Sequence, residues 1–354
     1  MTDTAQTAIA EVELACADLA PALAFFTATL GFRVETIFPA EEPRVASLSG
    51  HGLRLRLAPG NGGAGVVRLP CTVLPPENEQ VLIAPNGTRI EWVLADPPME
   101  NPPLVPRFTL SRAADSAAPG PGRAGMLYCD LIPCRQGGRF IASHITIPVG
   151  GPVADWVHFH KIRFQMIYCR RGWVRVVYED QGEPFVMEAG DCVLQPPRIR
   201  HRVLEASDGL EVVEIGAPAL HETIADHAMS LPTGARRPAR DFGGQRFLRH
   251  VAAQTPWRAD GASGLERRDT GMAGATGGLA DAVVFRVAGG DATSLPAHGH
   301  ELLFGFVLGG SGVLHRGGDV HDLAPADAFT IPPGEAWGLA DLSPDFTALR
   351  VTVG

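Results

Sequence analysis

Residues 143–160 and 283–300, SHITIPVGGPVADWVHFH and VVFRVAGGDATSLPAHGH, align without a gap at an offset of 140. Gly172 and Gly312 share that offset, and Pro196-Pro197 aligns with Pro332-Pro333 at an offset of 136. A chain that repeats itself in this way folds as two copies of one unit. No long helical periodicity runs through it, and 41 glycines and 30 prolines among 354 residues supply turns rather than helices. Two barrels of short strands are the expected outcome.

Ahead of the repeat, residues 8–17 (AIAEVELACA) read as a strand. Asp18 reads as the N-cap of the helix LAPALAFFTATL, with Pro21 in its first turn and Gly31 at its end. FRVETIF, RVASLSG and LRLRLA follow as three strands, which makes one βαβββ unit, and PNGTRIEWV (85–93) reads as a turn and a strand. Residues 97–125 are rich in Pro, Ala, Gly and Ser and read as a linker. The expected organisation is a module over 1–96, the linker 97–125, a first barrel over 126–216, a connection 217–245 and a second barrel over 246–354. Within the connection, ALHETIADHAM reads as one short helix.

Composition removes several function classes. Lys and Arg total 30 against 39 Asp and Glu, a net charge of −9, and no basic run offers a footprint for nucleic acid. No stretch of 18 apolar residues occurs, so no membrane span is expected. Met1 to Ala8 lacks the charged and apolar regions of a signal peptide, and the six scattered cysteines form no CxxC pair. A cytoplasmic protein with reduced thiols is the expectation.

The chemistry concentrates in the first copy. His158-Phe159-His160 is followed after four residues by Gln165 and after six more by Gly172; Gly190-Asp191 and Pro196-Pro197-Arg198-Ile199-Arg200-His201 come next. Two histidines two apart on a strand face the same way, and a third from an antiparallel neighbour completes a facial set of imidazoles. Such a set binds a divalent first-row metal and leaves positions open. This spacing resembles the two cupin motifs, HxH(x)3–4E(x)6G and G(x)5PxGxxH, and the resemblance covers about 230 residues as a bicupin. CADLAPALAFFTATLGFRV, with PNGTRIEWV, resembles the glyoxalase/vicinal-oxygen-chelate family. Only 28 positions separate Leu57 from Pro85, too few for that family's full second unit. Its metal positions would fall on Glu11 and Glu91, its usual histidines have no counterpart, and a structural or dimerising role is expected. The resemblances together imply a mainly β fold: two cupin (double-stranded β-helix) barrels preceded by a small α+β βαβββ glyoxalase-like domain.

Two departures shape the expected site. Gln165 stands where cupins carry Glu, and Arg198 where they carry the glycine of PxG. Gln165 either ligates through its carbonyl oxygen, beside His158, His160 and His201, or hydrogen-bonds a substrate. Three neutral imidazoles leave the metal's charge uncompensated, which favours a small anionic chelating metabolite. Ile167 and Cys169 alternate with Gln165 and are expected as pocket walls. Arg163 and Tyr168 are candidate catalytic groups, and Arg198 and Arg200 candidate clamps for the anion. In the second copy His298 and His300 remain, but Gly305 replaces the acid and Trp337 the third histidine. That barrel is expected to be structural, with a weak site at His298, His300 and Glu301 as the alternative. The cupin resemblance implies a homodimer and, for a three-histidine centre, an Fe(II) dioxygenase cleaving a ring or a diketone; Mn, Ni, Zn and Cu also suit the ligands. A redox-neutral lyase, isomerase or hydrolase with Tyr168 or Tyr178 as base, and a non-catalytic binding protein, are the other readings.

Overall fold

The computed structural model describes residues 10–39, 43–60, 65–116, 118–260, 264–288 and 293–354. The stretch Met1–Ala8 and the first residues of the strand expected at 8–17 lie outside them. The chain divides into two compact units, Met1–Pro98 and Met99–Gly354.

In the first unit the strand Val12–Ala15 leads to Asp18, whose carboxylate accepts from the Ala20 N–H at 3.3 Å. That cap opens the helix Leu19–Ala24, which continues as a π-turn over Phe25–Thr29. Leu19, Ala22 and Phe26 lie on one face and pack on Leu48, Leu55 and Leu57 of a four-stranded sheet. The sheet runs in the order 12–15, 53–58, 45–50, 33–38, its first pair parallel. A smaller sheet follows, with Val66–Cys71 parallel to Arg89–Leu94 and Val81–Ile83 on the far side. Only the single turn Glu77–Glu79 stands where a second helix would be needed. Glu11 pairs with Arg54 at 2.7 Å, and Glu91 with Arg89 at 2.8 Å and Arg68 at 3.6 Å. Both carboxylates thus face guanidinium groups, and among the described residues neither belongs to a cluster able to hold a metal.

The second unit contains the two barrels. The larger sheet of the first runs 248–250, 192–194, 164–171, 210–217, 141–147, 127–130, 120–121. Its smaller sheet runs 185–188, 173–178, 201–206, 158–160, 223–225, with Gly151–Pro152 also against 201–206. The second barrel repeats the plan: 258–259, 265–269, 280–287, 347–353, 302–309, 328–331, 109–111 face 293–295, 337–340, 312–316, 319–323. Side chains alternate along each strand, so each large sheet serves two cores. Phe164, Met166 and Tyr168 enter a core shared with Phe304, Phe306 and Val351 of the other barrel. Cys169, Val193 and Val212 point into the first barrel instead.

Each barrel lends the other a strand. Thr109–Ser111, which precedes the first barrel in the chain, pairs with 328–330 of the second. Leu248–His250, which precedes the second, pairs with Cys192–Leu194 of the first. Part of the expected linker 97–125 is therefore ladder, because the sheet edge at 328–331 offers its backbone groups a partner that composition does not reveal. The helix expected around ALHETIADHAM is also replaced by a strand, Thr223–Ala225, paired with His158–His160. An isolated helix so short is marginal, and the sheet edge wins.

One buried hydroxyl ties the crossing strand down. Thr330, 1% exposed, donates to Arg107 O at 2.9 Å and accepts from Thr109 N and Gln136 Nε2, each at 3.1 Å. Thr330→Val keeps the shape and removes the acceptor, so it should destabilise the second unit by about 1–3 kcal/mol. Urea denaturation measures this, and a loss below roughly 0.5 kcal/mol would contradict the assignment.

Candidate metal centre

The strand His158–His160 runs antiparallel to His201–Ala206, with His158 directly opposite His201. His160, two residues on, shares the inward face. The rings of His158 and His201 lie 4.2 Å apart, and His160 is 5.2 Å from the first and 5.3 Å from the second. All three are buried, at 0%, 8% and 5% exposure for His158, His160 and His201. Among the described residues they are the one group of His, Cys, Asp or Glu whose candidate ligand atoms all lie within 4.8 Å of one another.

Each imidazole is anchored from behind. His158 Nδ1 meets Trp156 O at 2.8 Å, His201 Nδ1 meets Ile199 O at 3.0 Å, and His160 Nδ1 meets Thr223 Oγ1 at 3.1 Å. A proton on Nδ1 donating to that oxygen puts the lone pair at Nε2, the state a metal ligand requires. Asp155 stands 3.6 Å behind His158 Nδ1, its carboxylate fixed by the N–H groups of Trp156 and Val203, each at 2.9 Å. The donor set therefore fits a divalent first-row ion: buried imidazole nitrogens, oriented rings and a supporting shell of oxygens.

The cavity over the triad is mostly apolar, with walls that include Met126, Ile145, Ile167, Val176, Met187 and Val212. Its polar lining comes from Gln165, Glu214, Gln195, Tyr128 and Tyr178 beside the histidines, and among the described residues no Lys or Arg lines it. Gln165, 2% exposed, donates through Nε2 to Glu214 Oε1 at 2.5 Å. Tyr178 lies opposite His201 on the next strand and stacks on it at 5.5 Å, and its hydroxyl accepts from Gln195 Nε2 at 2.9 Å. Complete burial pushes the Tyr178 phenol well above its ordinary range.

Several expected site residues lie elsewhere. Tyr168 lies on the opposite face of its strand from Gln165 and so faces the core between the barrels, where burial raises its phenol far above the usual value. Cys169 points into the first barrel but packs in its core. Its sulfur lies 3.6 Å from Gly172 O, and burial pushes its thiol up to about 12. Arg163 is held by Glu301 of the second barrel through contacts at 2.9 and 3.2 Å. Arg139 reaches the same carboxylate at 2.9 Å, and the hydrogen bonds of Arg139 and Arg163 hold Glu301 down at about 2. Arg200 faces away from the cavity, paired with Asp226 at 3.1 Å and laid over Phe159 at 4.3 Å. Arg198 is exposed and does not line the cavity. The expected arginine clamp is thus not formed, because alternation sends these side chains outward or toward the other barrel. Ile167 and Gln165 do line the cavity, as read from the sequence.

Sequence reasoning overlooked Glu214, Gln195, Thr223 and His221. His221, with Nδ1 3.0 Å from Pro218 O, stands edge-on to His160 at 5.3 Å. No local spacing marks these residues, since each reaches the triad through strand pairing or the path of the connection.

The corresponding region of the second barrel is a packed core. A Cβ on Gly305 would come within 2.2 Å of the Phe329 ring, so the residue at the acid position is excluded by the aromatic opposite. Trp337, 5% exposed, stands 5.9 Å from that ring. His298 Nε2 is bonded to Ile331 O at 2.9 Å and His300 Nδ1 to Gly354 O at 2.7 Å, while Glu301 serves the two arginines. The weak site considered at His298, His300 and Glu301 is not assembled.

Comparison with known proteins agrees with this architecture. Residues 143–215 match the cupin domain family. A search of curated sequences finds no match. Among solved structures the chain is similar to the protein Ylba from E. coli, at 12% identity and a TM-score of 0.52, over 72% of this chain and 94% of that one. It is also similar to Bacillus subtilis oxalate decarboxylase, described by its Mn(II) centres, at 13% identity and a TM-score of 0.50, over 69% of this chain and 76% of that one. Salicylate 1,2-dioxygenase from Pseudaminobacter salicylatoxidans aligns at 16% identity and a TM-score of 0.48, over 61% and 71% of the two chains. At such identities the first two likenesses show the fold: a mainly β protein with two cupin barrels. The first of these barrels carries three histidines grouped as a metal would require.

Arg198 explains a departure from the cupin pattern. Its φ is +63°, the left-handed conformation that the glycine of that motif adopts freely. Arg198→Gly should leave stability unchanged or raise it by up to about 1 kcal/mol, as relief of strain outweighs added chain entropy. Chemical denaturation checks this, and a clear loss would show that the arginine side chain holds the turn.

Proposed function

We propose that the first barrel is a mononuclear metal-dependent enzyme centre with His158, His160 and His201 as ligands. The observation that carries this reading is the convergence of three buried, back-anchored imidazoles under an apolar cavity. Our best reading of the activity is an Fe(II) dioxygenase acting on a small anionic chelating substrate, a phenolic acid, enolate or diketone. Once bound, a divalent ion would supply Lewis-acid polarisation of the chelating oxygens and, as iron(II), reactivity toward dioxygen. The chain's own residues do the rest. Ile167, Val176, Met187 and their neighbours hold the substrate's apolar body and exclude water. Gln165 orients Glu214, and the Tyr178 hydroxyl, fixed by Gln195, presents a hydrogen bond to the cavity.

Glu214 favours one second reading, a redox-neutral lyase or isomerase, because a carboxylate facing the cavity is placed to accept a proton from a carbon acid. The N-terminal unit we read as a truncated glyoxalase-like module with a structural or dimerising role. A homodimer in the cytoplasm, binding neither nucleic acid nor membrane, completes the proposal; among the described residues no helix is long and apolar enough to cross a membrane.

Oxygen consumption separates these readings. Iron(II)-loaded protein supplied with 1,3-diketones and phenols should consume dioxygen with product formed, and His160→Ala should not. Product formed equally in the absence of oxygen would replace the dioxygenase by the redox-neutral enzyme. No turnover, with ligands bound unchanged, would leave a binding protein.

A further inference from the structure

Glu214 occupies an unusual position: a carboxylate on the wall of a mostly apolar cavity, beside three imidazoles, with no Lys or Arg among the described residues that line it. It comes from the strand Leu210–Ala217, where Glu214 lies opposite Ile167 and Gly216 opposite Gln165. Alternation turns Val212 and Glu214 inward together, and both line the cavity. The position where the cupin motif carries its acid is Gln165, and Gln165 donates its amide to Glu214 at 2.5 Å. The carboxylate has in effect moved one strand over. It lies outside the group of mutually close ligand atoms, so it charges the cavity wall rather than the ligand set.

We infer that Glu214 is a specificity residue that turns away chelators bearing carboxylates and leaves the cavity to ligands whose only anionic atoms are enol, phenol or diketone oxygens. This rests on the metal-centre reading above and narrows its substrate class. The physical case has two parts. A carboxylate entering the cavity loses its water and meets no Arg or Lys among the described lining residues, Arg163 being held by Glu301 and Arg200 by Asp226. It also meets a like charge at short range in a poorly screened space. A diketone or phenol carries an apolar body that matches Ile167, Met187 and Val212, and its single negative charge is spread over two oxygens in the diketonate or into the ring in the phenolate. Gln165 acts on this discrimination through Glu214, by fixing where the carboxylate stands.

The test uses full-length protein loaded with zinc, which is redox-inert, and titrates it with acetylacetone and with oxalate in a calorimeter. Both probes chelate through two oxygens and differ in charge and apolar surface. Zinc content is measured separately for each protein. In Glu214→Gln the oxalate affinity should rise by on the order of tenfold to 100-fold relative to wild type, with acetylacetone changed less than about threefold. Glu214→Ala, which also removes the partner of Gln165, should show the same shift in preference and covers the case in which the glutamine variant folds poorly. An unchanged oxalate-to-acetylacetone ratio in zinc-bearing variants would overturn the role of Glu214 while leaving the metal centre standing. Failure of wild type to hold zinc would overturn both, and the zinc measurement identifies that failure directly.

Discussion

The structure depends on the face-to-face packing of two large sheets, one from each barrel. Phe164, Met166 and Tyr168 bury themselves against Phe304, Phe306 and Val351, and the strand alternation that sends them there sends Gln165, Ile167 and Cys169 the other way. One strand thereby fixes both the joint between the barrels and a wall of the cavity. A slip of one residue in 164–171 would place Tyr168 over the histidines and expose Gln165 to the apolar joint. The exchanged strands at 109–111 and 248–250 lock the same arrangement from both sides. Strand exchange is thus completed between two halves of one chain.

The two barrels show what separates a site from a core on one scaffold. Both keep a pair of histidines two apart. In the first, the third ring arrives from the opposite strand, and each Nδ1 has an oxygen behind it. In the second, an indole takes the third position, and Phe329 and Trp337 fill the space that a ligand would need. The pairing differs as well: His158 lies opposite His201, whereas in the second barrel Leu295, three residues before His298, lies opposite Trp337.

Much of this was legible in the sequence, and the reason is spacing. His158, His160 and His201 lie on two paired strands of one barrel, and the spacing of the two motifs that carry them marks their convergence. Asp18 and the βαβββ order were likewise readable from local rules. What escaped depends on partners far along the chain. Arg163 is claimed by a glutamate 138 residues away, and Glu214 finds Gln165 across 49 residues. Thr223 supports His160 only because a segment read as helix is captured by a sheet edge. Local patterns set which face a side chain takes, but not what waits on that face.

The central claim is that the triad in the first barrel holds one metal ion. Elemental mass spectrometry of untagged protein, purified without chelator and reconstituted with a divalent first-row ion, measures this directly. The account predicts about one ion per chain in wild type and little in His158→Ala or His201→Ala, both judged folded by their thermal melts. Wild-type protein that retains no stoichiometric metal, or variants that retain as much as wild type, would contradict it.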